Sequence, residues 1–404
     1  MSYRSRIIVA AMVYAAGLSG IAAGAEEVSR ALAKPLKAAQ DALAAKNYDQ
    51  ALASLREAQG NTNKSAYDQY VINELLGPVY ASRSNFSEAF DAYAANAESA
   101  FLPADGKAAR YKLLAQLSYQ LKNYPNAVDY GSRAIKAGEN GNDMQLIVAQ
   151  SYYLQAKYKD AAGSMQEIVA RAERSGQRPQ ETSLRFLWDC YRKLNDDPAQ
   201  GRIIEKLLNY YPKPDYWQNA MANLQQGSKD DRFTLGVYRL MADVGTLKRP
   251  DQYSEMAQLA VEQGFPGEAQ QVLEQAFAKG VYTEQRDKER STRLLESAKK
   301  LVATEVAGLP KVEKQAASAP TGDLLVAVGA SYLLNAGDAA KAATLISQGI
   351  AKGSLKSPND AYLLLGLAQT RAKNIAEAQK ALAKVDGNEG YERLAKLMSF
   401  RARG

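Results

Sequence analysis

Apolar and small residues recur along this chain at steps of three and four, in stretches separated by short polar turns. That period predicts a succession of amphipathic helices. The turns resemble one another. KNYDQA at 46–51 returns as SNFSEA at 84–89, KNYPNA at 122–127 and KNIAEA at 373–378, with a shorter KYKDA at 157–161. The closing alanines, Ala51, Ala89, Ala127 and Ala161, are 38, 38 and 34 residues apart, and Ala269, Ala342 and Ala378 occupy equivalent places. Periods of this size mark stacked supersecondary units.

The spacing has a packing explanation. A small residue in the helix before the turn (Gly77, Ala115, Ala149, Gly366) and the alanine after it place small side chains on both sides of a helix contact. The helices can then approach closely, and the next large residue on that face (Leu55, Tyr93, Met165, Leu273, Leu382) fills the groove between them. The aromatic before the alanine (Tyr48, Phe86, Tyr124, Tyr158) lies at the junction, and a neighbouring Asn, Asp or Ser suits a helix N-terminus. Each turn therefore joins the two helices of one hairpin.

This order of residues, small-x-x-Tyr followed by Tyr, Ala, a large apolar residue and sometimes Pro (Pro212), resembles the tetratricopeptide repeat over most of the chain. The repeat's tryptophan is generally missing. The resemblance implies an all-α fold, a right-handed superhelical solenoid of helical hairpins with a concave groove. The expected organisation is an array over 26–308, a linker at 309–322 and a C-terminal pair of hairpins with a capping helix at 323–404. Residues 213–250 lack the usual junction and should form one irregular unit. Residues 284–308 read as a charged helix. Pro310 and Pro320 suggest the linker.

Composition narrows the chemistry. The 404 residues contain no histidine and one cysteine, Cys190. Histidine-based acid–base relays, an internal disulfide and cysteine clusters for zinc are therefore excluded. No phosphate-binding glycine loop or nucleophile motif occurs, so no catalytic residue, cofactor or metal site is expected. Residues 1–25 pair Arg4 and Arg6 with an uncharged apolar run, Ile7–Ala23, and end in Ala23-Gly24-Ala25. This is the pattern of a cleavable secretory signal peptide and predicts a periplasmic mature chain without a membrane span. The net charge of +7 falls to +5 without those two arginines. No basic run with interleaved aromatics points to nucleic acid.

Candidate function therefore rests on surfaces. Most of the 24 tyrosines fall at packing positions of the repeat. In a hairpin array the first helix of each unit lines the groove. That places Gln116, Tyr119 and Gln120, then Gln150 and Tyr153, then Asp189, Arg192 and Lys193 in one strip. The strip reads either as a seat for an extended peptide, held by amides and a guanidinium, or as a solvated concave face.

A broader resemblance adds a context. The phrases ALAKPLKAAQDALAAKNYDQAL, YDQYVINELLGPVY, LLNYYPKPDYW, VYRLMADVGTLK and EMAQLA…GFPGEAQQVLEQAF make the chain similar to exported proteobacterial repeat proteins associated with TonB systems. This resemblance implies a protein-binding adaptor, without enzymatic activity, whose partner is a TonB/ExbB/ExbD component or an outer-membrane protein. The alternative is an envelope-assembly scaffold for polysaccharide export or outer-membrane protein insertion.

Overall fold

The computed structural model describes residues 27–224 and 230–403. The expected signal peptide at 1–25 lies outside them. The described residues form helices and no strand. The fold is all-α, built of helical hairpins stacked side by side, and it divides into two compact units, 1–199 and 200–404.

Unit 1 contains four consecutive hairpins: α1 (Arg30–Ala44) with α2 (Tyr48–Gly60), α3 (Ala66–Ser82) with α4 (Phe86–Ala95), α5 (Lys107–Gln120) with α6 (Tyr124–Lys136), and α7 (Asn142–Leu154) with α8 (Tyr158–Arg174). Helix α9 (Glu181–Lys193) packs on α8.

The recurring turn has one backbone solution. Lys46, Ser84, Lys122, Ala156 and Asn195 all adopt positive φ, between 53° and 62°. Each ends its helix in a left-handed residue, and two backbone bonds close the turn. At the first turn Lys46 N–H donates to Leu43 O (3.0 Å) and Asn47 N–H to Ala42 O (2.8 Å); the same pair recurs at Ser84–Asn85, Lys122–Asn123, Ala156–Lys157 and Asn195–Asp196. This satisfies carbonyls that a helix end otherwise leaves open. The residue that completes the turn also begins the next helix. Asn47 Oδ1 accepts from Gln50 N–H at 3.2 Å, and Asn123 Oδ1 from Asn126 N–H at 3.3 Å. A three-residue connection of this kind keeps successive helices antiparallel and in fixed register.

Packing follows the spacing argument. Ala51, Ala89, Ala127 and Ala161 are fully buried, as are Leu55 and Met165 within 1%. A Cβ added at Gly77 would lie 2.4 Å from the Tyr93 ring, which is why glycine stands there. The first two hairpins share one apolar core, and α5, α6 and α7 share another. A polar joint links them. Arg110, 8% exposed, donates to both oxygens of Glu74 at 2.8 and 2.6 Å and lies over the Tyr93 ring at 4.9 Å. Buried Asn96 donates to Glu74 and to Tyr70 O, both at 2.8 Å. Burial pushes the Tyr93 hydroxyl up to about 12.

Unit 2 takes most of α10 (Asp197–Tyr210), then α11 (Pro214–Leu224), α12 (Asp231–Asp243), the hairpin α13 (Pro250–Glu262)–α14 (Pro266–Ala278), and α15 (Gln285–Ser318). The hairpins α16 (Asp323–Leu334)–α17 (Ala339–Lys352) and α18 (Pro358–Arg371)–α19 (Ile375–Leu382) follow, with α20 (Glu389–Ala402) last. The irregular stretch 213–250 holds α11 and α12, and the corner YYPKPDYW buries Tyr216 and Trp217.

Two expectations need correction. The linker at 309–322 is helical as far as Ser318, because α15 runs through Pro310. Leu309 and Ala316 are buried in the α16–α17 core, and Glu313 accepts from Tyr332 (2.7 Å) and pairs with Lys341 (2.8 Å). Tertiary contacts on both sides of the proline hold the helix together. The division at 308/323 is also absent, since α20 packs on α11 and α12 as well as on α18 and α19. Tyr391 donates to Asp230 at 2.8 Å and its ring meets Phe233 at 5.2 Å, while Lys396 pairs with Glu205 at 2.8 Å. The last helix thus closes the unit onto its own beginning.

Candidate functional site

The eight candidate groove residues all lie in unit 1, on α5, α7 and α9. These first helices come together on one side. The backbones of α5 and α7 are in contact. Side chains then continue the link from helix to helix. Tyr119 on α5 donates to Gln150 Oε1 on α7 at 3.0 Å. Tyr153 on α7 donates to Asp189 Oδ2 on α9. Arg192, one turn further along α9, donates to Asp189 Oδ1 through Nε at 3.1 Å and a terminal nitrogen at 2.5 Å.

Rings fix the donors. Tyr119 packs edge-on against Tyr124 at 6.0 Å, and Tyr153 against Tyr158 at 5.2 Å and Phe186 at 5.3 Å. The aromatics that open α6 and α8 therefore each buttress a tyrosine of the preceding helix. Burial raises the Tyr119 and Tyr153 hydroxyls, and the Asp189 carboxylate raises Tyr153 further. Burial also works to raise Asp189, but the hydrogen bonds from Tyr153 and Arg192 outweigh it and its carboxyl titrates below the ordinary range. At neutral pH the ladder is Tyr–OH to Gln, then Tyr–OH to carboxylate to guanidinium.

Five of the eight residues, Tyr119, Gln150, Tyr153, Asp189 and Arg192, are thus joined to one another. Gln116, Gln120 and Lys193 lie on the same helices without a hydrogen bond to another side chain among the described residues. The sequence left all eight open between a peptide seat and a solvated concave face. The structure instead uses five of them to lock three helices, and leaves the surface on either side of the ladder open.

Three further surface residues were missed. Leu146 and Leu154 on α7 are 36% and 50% exposed, and Arg185 on α9 is exposed. Apolar residues in a repeat helix read as core. The register of the turns carries the missing signal: Gln120, Leu154 and Lys193 each close a first helix, so Leu154 shares the place of two polar residues.

Among the described residues no three His, Cys, Asp or Glu side chains are grouped to hold a metal ion, and no helix is long and apolar enough to cross a membrane. Cys190 is fully buried and its thiol is pushed up to about 12, first by burial and then by Asp189.

A family profile described as the tetratricopeptide repeat matches residues 329–389, which span α16 to the start of α20. No curated protein matches the chain in sequence. Among solved structures, the chain is similar to Naa15/Naa10 bound to HypK-THB (13% identity, TM-score 0.36) over 88% of this chain and 58% of that one. It is similar to the apo form of RapI (13%, 0.33) over 80% and 85% of the two chains. A tetratricopeptide repeat protein from Parabacteroides merdae (13%, 0.32) aligns over 84% of this chain and all of the other. The chain thus spans 58% of the length of the first of these neighbours.

Proposed function

We propose that this chain is a periplasmic scaffold that holds a protein partner against the first-helix face of unit 1, as an adaptor in a TonB-type energy-transduction or outer-membrane uptake system. The observation that carries the binding role is the ladder from Tyr119 to Arg192. It ties three consecutive first helices into one rigid face whose flanking positions stay open. A rigid face loses little conformational entropy when a partner settles on it. Stacked hairpins present extended surfaces of this kind. The leader pattern at 1–25 supports the compartment, and the resemblance to exported repeat proteins supports the system.

The test is crosslinking in intact native periplasm followed by recovery of residues 26–404 with bound partners. Recovery of TonB, ExbB, ExbD or an outer-membrane receptor is the expected result. Recovery of glycan-export or barrel-assembly proteins would replace the adaptor role with envelope assembly. Partners retained unchanged by a Tyr119→Ala/Tyr153→Ala variant of intact fold would remove the binding role from this face.

A further inference from the structure

Aligned on their last residues, α5, α7 and α9 form a grid of three rows. The row nearest the turns is Gln120, Leu154 and Lys193; the middle row is Gln116, Gln150 and Asp189; the far row is Lys112, Leu146 and Arg185. Within each helix these residues are four apart and share a face. The bonds from Tyr119 to Gln150 and from Tyr153 to Asp189 place that face on the same side in α7 and α9.

The columns differ in chemistry. The α7 column presents Leu146 and Leu154, two of the five large apolar side chains exposed among the described residues. They are eight residues apart, about 12 Å along the helix. The α9 column presents Arg185 and Lys193, both exposed and without an ion pair among the described residues. Its one acid, Asp189, is already taken by Arg192 and Tyr153. In the α5 column Lys112 is held by Glu139 (3.3 Å) and Asp143 (3.0 Å), leaving the amides of Gln116 and Gln120. An apolar strip with a cationic border on one side and amides on the other is complementary to one kind of surface.

We infer that the partner presents an acidic segment in which apolar side chains cover Leu146 and Leu154 while carboxylates meet Arg185 and Lys193. This rests on the binding role proposed above for the same face and adds the partner's chemistry. The apolar contact supplies affinity through burial. The charges select the partner and its orientation. In the central row Gln150 and Asp189 are already bonded to Tyr119 and Tyr153, which leaves the Gln116 amide to the partner.

The test is selection of a displayed random 12-residue peptide library on the full mature chain, followed by titration of the enriched peptides. Enriched sequences should combine Asp or Glu with Leu, Ile, Phe or Trp, and bind more weakly as salt rises. Leu146→Ser/Leu154→Ser should weaken them at least tenfold. Arg185→Glu/Lys193→Glu should do the same and abolish the salt dependence. All four side chains lie at the surface, so circular dichroism and melting should be unchanged. Enriched peptides that are basic or uncharged, or that ignore the leucine variant, would overturn the inference; if they still responded to Tyr119→Ala/Tyr153→Ala, the binding role would stand without it. No enrichment at all would overturn both. Leucine-dependent sedimentation with 3:1 phosphatidylethanolamine–phosphatidylglycerol vesicles, with no peptide binding, would make the face a lipid contact and also overturn it.

Discussion

Two single residues show how far local contacts decide stability in this array. Gly77 lets α3 close on the Tyr93 ring, and a Cβ there meets the ring at 2.4 Å. Gly77→Ala should gain about 1 kcal/mol of helix propensity and lose more, since overpacking costs roughly 1–3 kcal/mol. Gly163, within α8, has nothing within 4 Å of the same added atom. Gly163→Ala should therefore stabilise by about 0.5–1 kcal/mol. Urea denaturation of both variants checks the pair, and equal signs would refute the packing account.

Asp68 is fully buried and caps two helices together. It accepts from Ser29 N–H (2.9 Å), Ser29 Oγ (2.5 Å) and Ser65 N–H (2.9 Å). Burial works to raise its pKa, but these bonds outweigh it and the carboxyl lies below its ordinary 3.8. Above that value both folded and unfolded chains are ionised, so the full contribution is present. As pH falls, the unfolded chain takes up the proton first, and the stabilisation fades until the folded carboxyl is protonated as well. Asp68→Asn should cost about 2 kcal/mol at pH 7, and the gap to the parent should narrow below pH 3.8. A gap that is constant between pH 7 and pH 3 would show that the charge is immaterial.

Helices were more legible than their partners. The turn phrases located the junctions because each must supply one left-handed residue, one N-cap and one alanine against the facing helix, and those demands leave marks five or six residues long. The continuation of α15 through Pro310 left no such mark, since it depends on Leu309, Glu313 and Ala316 finding partners on α16 and α17. The candidate site divided in the same way. Spacing placed Tyr119, Tyr153 and Asp189 on one face, but their bonds to neighbouring helices join residues 31 and 36 positions apart and depend on the stacking angle. The same limit hides the pair that joins α12 to α14. Arg239 and Glu268 are 6% and 5% exposed and share two short bonds of 2.8 Å. Removing one partner strands a charge, so Arg239→Ala should cost about 3–5 kcal/mol. Arg239→Met/Glu268→Leu should recover most of that loss, because an apolar pair carries no desolvation penalty. A double variant no more stable than Arg239→Ala, measured by thermal melting, would show that the pair does more than cancel itself.

At the scale of the molecule, the two units close their ends differently. In unit 1 the tie between Ser29 and Asp68 fastens the start of α1 to α3, so removing a few residues there loosens one hairpin. In unit 2 the last helix reaches the first ones. Leu394 is fully buried, Gly236 on α12 leaves room for it, and α20 also carries the ties from Tyr391 to Asp230 and from Lys396 to Glu205. A stacked array normally loses stability by one interface when a terminal element is removed. A unit closed on itself loses two. Deleting residues 389–404 should therefore open α12 and α19 together, although they are more than a hundred residues apart in sequence. Hydrogen exchange with mass spectrometry would detect it. Protection should fall in 231–243 and 375–382 alike and stay unchanged in 30–136. Loss confined to 375–382 would mean that α20 caps its neighbour and nothing more. Loss in both segments would show that the C-terminal helix holds the two ends of the unit together.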